Sequence, residues 1–117
     1  MRLLSLELAM IMIWEKIKAL EEMKENIQKE IEDIEKELKE LPSGHLEVKN
    51  INNNKYYYLR YWEEGKLKSK YVGRVADDIK RKLSRAEDLR SRLTKLKEEE
   101  RKITNILSKI EKIITNY

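Results

Sequence analysis

The stretch from Lys55 to Arg74, KYYYLRYWEEGKLKSKYVGR, holds five tyrosines and a tryptophan in a chain without phenylalanine. The stretch and its flank also supply cations at Lys49, Lys55, Arg60, Lys66, Lys68, Lys70 and Arg74. Lysine and arginine neutralise phosphates and release their counterions. Arginine, lysine and serine on a sheet in the major groove read base edges. Aromatic rings stack on unpaired bases. The candidate nucleic-acid-binding residues are therefore Lys49, Lys55, Tyr58, Arg60, Trp62, Lys66, Lys68, Ser69, Lys70 and Arg74, with duplex DNA the expected partner. The competing reading is structural: a small sheet needs aromatics for its own core, and lysines on its edges oppose aggregation. On that reading the chain is a coiled-coil scaffold or adaptor with no nucleic-acid role.

The sequence offers little to catalysis. His45, beside Gly44 in an expected turn, is the only histidine, and there is no cysteine. A usual metal constellation and a thiolate site both lack their ligands. Of the serines only Ser43 has the histidine near it in sequence, and nothing marks it as a nucleophile; no glycine-rich phosphate loop occurs. The carboxylates fall at helix-surface spacing with basic partners four residues away and read as solvated faces. The expectation is a non-enzymatic protein with no metal, cofactor or small-molecule substrate.

The elements that position these residues follow from composition and period. Charged residues make up 41% of the 117, with only 3 Gly and 1 Pro, a composition that favours long helices. From Met10 to Leu41, apolar residues recur at steps of three and four: Ile13, Ile17, Leu20, Met23, Ile27, Ile31, Ile34, Leu38. That is a helical stripe close to a heptad seam, irregular near Leu20–Met23. Pro42, Ser43 and Gly44 stop it. A second helix runs from Ala76 to the end, with Asp77 or Asp78 as cap and stripes at Ile79, Leu83, Ala86, Leu89, Leu93, Leu96 and then Ile103, Leu107, Ile110, Ile114. Two helices of equal length around one insert fold back on each other. The expected fold is α+β and mainly α: a long antiparallel coiled-coil helical hairpin with a three-stranded antiparallel β-meander inserted at the turn. It forms a single domain over 1–117, with helices over 1–41 and 76–117 and the meander over 42–75.

Within the meander the period falls to two. Turns at Asn53-Asn54 and Glu64-Gly65 place Glu47 opposite Arg60, Val48 opposite Leu59, Trp62 opposite Leu67, Arg60 opposite Ser69, Tyr58 opposite Tyr71 and Tyr57 opposite Val72. One face then carries Leu46, Val48, Tyr57, Leu59, Tyr61 and Val72 and is the better core face. The other carries Lys49, Tyr56, Tyr58, Arg60, Trp62, Leu67, Ser69 and Tyr71. Residues 1–41 hold 7 basic and 11 acidic side chains, residues 42–75 hold 7 and 3, and residues 76–117 hold 12 and 8. An acidic first helix accounts for a basic second one. It does not account for the basic insert.

The segment YYYLRYWEEGKLKSKYVG resembles a signature of widespread, mostly uncharacterised bacterial and archaeal proteins, in which a YYYLxYREGGKxKSKYV-like strand pair precedes a charged helix. Residues 44–85 also resemble the three-stranded, arm-site-binding N-terminal domain of tyrosine recombinases. That resemblance implies a sheet lying in the DNA major groove, with Tyr58, Arg60, Lys68, Ser69 and Lys70 in its reading hairpin. The chain departs from the recombinase pattern in its long preceding helix and in having no catalytic domain after the meander, so enzymatic activity is not carried over.

The helix ends suggest a second surface. From Leu3 to Trp14 the first helix is apolar nearly all round, and Ile106 and Ile113 widen the stripe of the second. One partner helix covers only a stripe. A homo-oligomer is expected there, most simply a dimer through Leu6, Met10, Ile13, Trp14, Ile106, Ile110, Ile113 and Tyr117. Glu7 interrupts the apolar run, no small-residue cleavage site follows, and the run falls short of the roughly 20 residues that span a bilayer. The segment reads as part of a soluble helix, and a cysteine-free chain fits a cytoplasmic setting. The lack of cysteine with abundant Glu, Lys and Ile also resembles thermophile usage.

Overall fold

The computed structural model describes the backbone of residues 2–116 and the side chains of residues 5–116. The element order is α1 (Arg2–Glu40), β1 (His45–Ile51), β2 (Asn54–Glu63), β3 (Lys66–Gly73) and α2 (Asp77–Thr115). This is the helical hairpin with an inserted meander that the periodicity implies. Each helix has 39 residues, and neither contains a glycine or proline to interrupt it. No helix among the described residues is long and apolar enough to cross a membrane.

The chain divides into two compact units. The first joins the residues up to 33 with those from 93 onward and is a pair of helical segments. The segments run antiparallel: Trp14 and Ile17 share a groove with Ile110 and Ile114, while Met23 and Ile27 share one with Glu99 and Ile103. Its buried seam is Ile17, Ile27, Ile31, Leu96 and Ile103. Leu96 and Ile103 stand one heptad apart, as a coiled-coil seam requires. The irregularity near Leu20–Met23 is real, because Met23 is 52% exposed. Glu100, between the two apolar stripes of α2, is half-buried.

The second unit, residues 34–92, holds the sheet with the adjoining helical turns. Its buried residues are Ile34, Leu59, Ala76, Ala86 and Leu89. The sheet order is β1-β2-β3, all antiparallel. Both turns have two residues at positive φ, Asn52 and Asn53 in the first, Glu64 and Gly65 in the second. Such turns match the right-handed strand twist. The first turn is therefore at Asn52-Asn53 rather than Asn53-Asn54. Leu46 pairs with Leu59, Glu47 with Tyr58 and Val48 with Tyr57, a slip of two residues from the sequence-based register. A two-residue slip leaves every side chain on its face, so the division of the faces stands.

In the second hairpin Trp62–Leu67, Arg60–Ser69 and Tyr58–Tyr71 pair as expected. Tyr57 pairs with Gly73, not Val72, across a bulge. Val72 is the extra residue, and Gly73 takes φ 134°, which a side chain resists. At the entrance to β1, Gly44 has φ 105° and lies against β2: a Cβ there would sit 2.1 Å from the Arg60 carbonyl oxygen. At the start of α2 the Ala76 carbonyl accepts the Lys80 amide at 2.9 Å. Ala76 thus occupies the cap position, and Asp77 and Asp78 sit inside the first turn. Their charge still favours the positive end of the helix.

Candidate nucleic-acid interface

Strand alternation sends neighbouring residues of β2 to opposite sides. Leu59 is the buried centre of one side, flanked by half-buried Tyr57 and Tyr61. The Lys80 ammonium lies 4.9 Å from the Tyr57 ring centre, which ties this side to the first turns of α2. The opposite side stays open. Trp62 is 70% exposed, Tyr71 51% and Leu67 44%. Trp62 and Leu67 are a cross-strand pair beside the Glu64-Gly65 turn, and Ser69 is exposed next along the same face.

Three tyrosines form the middle of the open face. The Tyr58 and Tyr71 ring centres lie 5.2 Å apart, and Tyr56 and Tyr71 6.5 Å apart. These are tilted contacts that aromatic quadrupoles favour. Cations cover the outer rings: Lys49 Nζ sits 4.6 Å from the Tyr58 centre, and the Arg74 guanidinium 5.9 Å from the Tyr56 centre. Arg74 also donates to Asn54 Oδ1 at 2.6 Å.

The basic charge is divided and partly neutralised. Lys49, Arg60 and Arg74 stand on or beside the open face with Tyr58, Trp62 and Ser69. Pairing places Lys66 opposite Glu63, Lys68 opposite Tyr61 and Lys70 opposite Leu59, so these lysines belong to the other side. Lys55, paired with Asn50, shares that side. Arg60 donates to Glu47 Oε1 at 3.1 Å, and Lys68 pairs with Glu63 at 3.4 Å. The sequence-based register already set Glu47 opposite Arg60; the Lys68–Glu63 pair comes from the structure alone. Lys55, Lys66 and Lys70 have no carboxylate within ion-pair distance among the described residues, and all three are exposed. Arg60 Nε is buried with no hydrogen-bond partner.

Sequence reasoning placed Glu47 directly opposite Arg60 and missed Asn54 and Lys80 as partners. Glu47 and Arg60 are diagonal neighbours on one face, a relation readable from the alternation. Lys80 over Tyr57 joins residues from different elements and had no local signal. His45, expected in the turn, opens β1 and lies 4.0 Å from Glu47. Past the sheet, the basic run of α2 is largely engaged. Lys82 and Arg81 lie 3.1 and 3.7 Å from Asp78, and Arg85 grips both carboxylate oxygens of Glu37 at 3.2 and 3.0 Å. The Lys82 hydrogen bond is the main cause that holds the Asp78 carboxyl below its usual value of 3.8.

The expected oligomer-interface residues lie in the first unit. Leu6, Met10, Ile13, Trp14, Ile106 and Ile113 are all exposed, between 45% and 66%. Ile110 is half-buried in a groove, and Tyr117 lies outside the described residues. Among the described residues no cluster of His, Asp or Glu is arranged to hold a metal ion.

Neither the curated proteins nor the solved structures give a match to the chain. Residues 21–81 match the profile of a family described as a domain of unknown function, DUF6788. The matched span contains the whole sheet with its Lys49-to-Arg74 face and stops short of the apolar segments at both helix ends. It covers just over half of the 117 residues, and the chain belongs to that family.

Proposed function

We propose that the protein is a non-enzymatic DNA-binding protein that uses the open side of its three-stranded sheet. The observation that carries this reading is the exposure of Trp62, 70%, beside open Leu67 and Tyr71. A sheet holding its aromatics only for its own core has no reason to leave the largest one in water. Around these rings stand Lys49, Arg60 and Arg74, while Lys66 and Lys70 are exposed on the other side of the edge strand β3. In this mode the open face enters the major groove, where Arg60 and Ser69 reach base edges. The edge lysines then meet phosphate. It is also the mode that the likeness to recombinase arm-binding sheets implies.

The test is binding of a labelled duplex by fluorescence anisotropy across a salt series. Affinity should fall linearly on a log–log plot. Trp62→Ala and Arg60→Ala should weaken it by about tenfold or more, and Lys70→Ala should lower the salt slope by about one. Preference for single strands would replace groove reading by base stacking. No binding to duplex, single strand or RNA at low salt would sink the reading. The scaffold reading would then stand, which the exposed apolar side chains of the first unit favour.

A further inference from the structure

The apolar end of the first unit carries an inference independent of the sheet. Seven of the nine residues from Leu6 to Trp14 are large apolar side chains, each more than half exposed, and Ile113 and Ile114 add two from α2. At on the order of 100 Å² of accessible surface apiece, they expose on the order of 900 Å². The largest apolar patch of an ordinary monomer is about 300–600 Å², and a standard interface buries about 800 Å² on each partner. Between the helices lies a groove of about 260 Å³, mainly apolar, whose lining of Trp14, Ile17, Leu107, Ile110 and Ile114 also includes two glutamates and a threonine.

We infer that the occupant of this surface is a second copy of the chain, which completes a four-helix bundle. Charge decides among the occupants. α1 carries 7 basic and 11 acidic side chains, α2 carries 12 and 8. A second copy presents its α2 to α1 and its α1 to α2, so each new neighbour is of opposite sign. A lipid surface fits poorly. Helices that lie on membranes are rich in Lys and Arg on the polar face, whereas this segment has Glu7 and Glu15 and no basic residue between Arg2 and Lys16. A bundle gives each helix two neighbours and an interior, which suits a helix apolar beyond a single stripe.

Sedimentation equilibrium of the full chain should give twice the monomer mass of 14.1 kDa. The double variant Ile13→Glu with Ile113→Glu should raise the dissociation constant by about a hundredfold or more, with helical circular dichroism unchanged because both positions are exposed. In Trp62→Tyr, which leaves Trp14 the sole tryptophan, emission should shift to the blue as dimer forms. A wild-type monomer at high micromolar concentration overturns the inference. So does a double variant that still dimerises, or Trp14 emission unmoved by association. A chain monomeric in solution that co-sediments with phosphatidylcholine–phosphatidylglycerol vesicles overturns it in favour of a lipid surface.

Discussion

Arg60 Nη1 donates to Glu47 Oε1 at 3.1 Å across the first hairpin, on the open face of the sheet. The pair is diagonal, since Arg60 faces His45 and Glu47 faces Tyr58. Its side chains are 36% and 38% exposed, so the attraction is screened and worth about 0.2–1 kcal/mol. The pair lowers the positive potential that a phosphate backbone would meet. Glu47→Gln should therefore strengthen duplex binding several-fold and steepen the salt dependence, while Arg60→Ala weakens binding. Anisotropy titrations of both variants check this, and weaker binding by Glu47→Gln would count against the face as the DNA surface.

Gly44 should be intolerant of any side chain. At φ 105° a Cβ would meet the Arg60 carbonyl oxygen, which is backbone and cannot step aside. Gly44→Ala should cost more than about 2 kcal/mol, combining the positive-φ penalty with a displaced strand. Gly65→Ala has open space around it and only the φ penalty, about 1 kcal/mol. Urea denaturation of the two variants separates them.

Two residues on the helical stripes should respond very differently to truncation. Leu96 is 1% exposed and Met23 52%. Leu96→Ala should destabilise by about 2–5 kcal/mol, the range for a buried leucine that leaves a cavity. Met23→Ala should cost less than about 1 kcal/mol, because most of its side chain is already in water. Thermal unfolding followed at 222 nm measures both.

Acid should weaken the start of α2 through Asp78. Its carboxyl is held below 3.8 in the folded chain, chiefly by the Lys82 hydrogen bond. The unfolded chain binds the proton first as pH falls. The contribution is fully present above the unfolded value and is lost as pH drops through the lower folded one. Glu98, lowered from 4.5 chiefly by its Arg101 hydrogen bond, acts in the same direction. The gap in melting temperature between wild type and Asp78→Asn should therefore close below about pH 3.8. A gap constant from pH 7 to pH 2 would contradict this.

The sequence by itself determined the order of elements and the two faces of the sheet. Periods of 3.5 and 2 are local, and Pro42, Gly44, the Asn cluster and Glu64-Gly65 punctuate them. The faces withstood the misplaced first turn because a slip of two residues preserves alternation. The sequence favoured the Leu59 side as the core face although both sides carry tyrosines, and the packing that buries Leu59 and sets Lys80 over Tyr57 closes that side. Tertiary structure decided the geometry of the ion pairs. Glu47 reaches Arg60 and Glu63 reaches Lys68 across strands, and strand pairing brings together charges that a linear count keeps apart. The apolar run at Leu6–Trp14 was legible as an excess from the start. That it lies uncovered within one chain follows only from packing, because one α2 segment covers a stripe and leaves the remaining sides exposed.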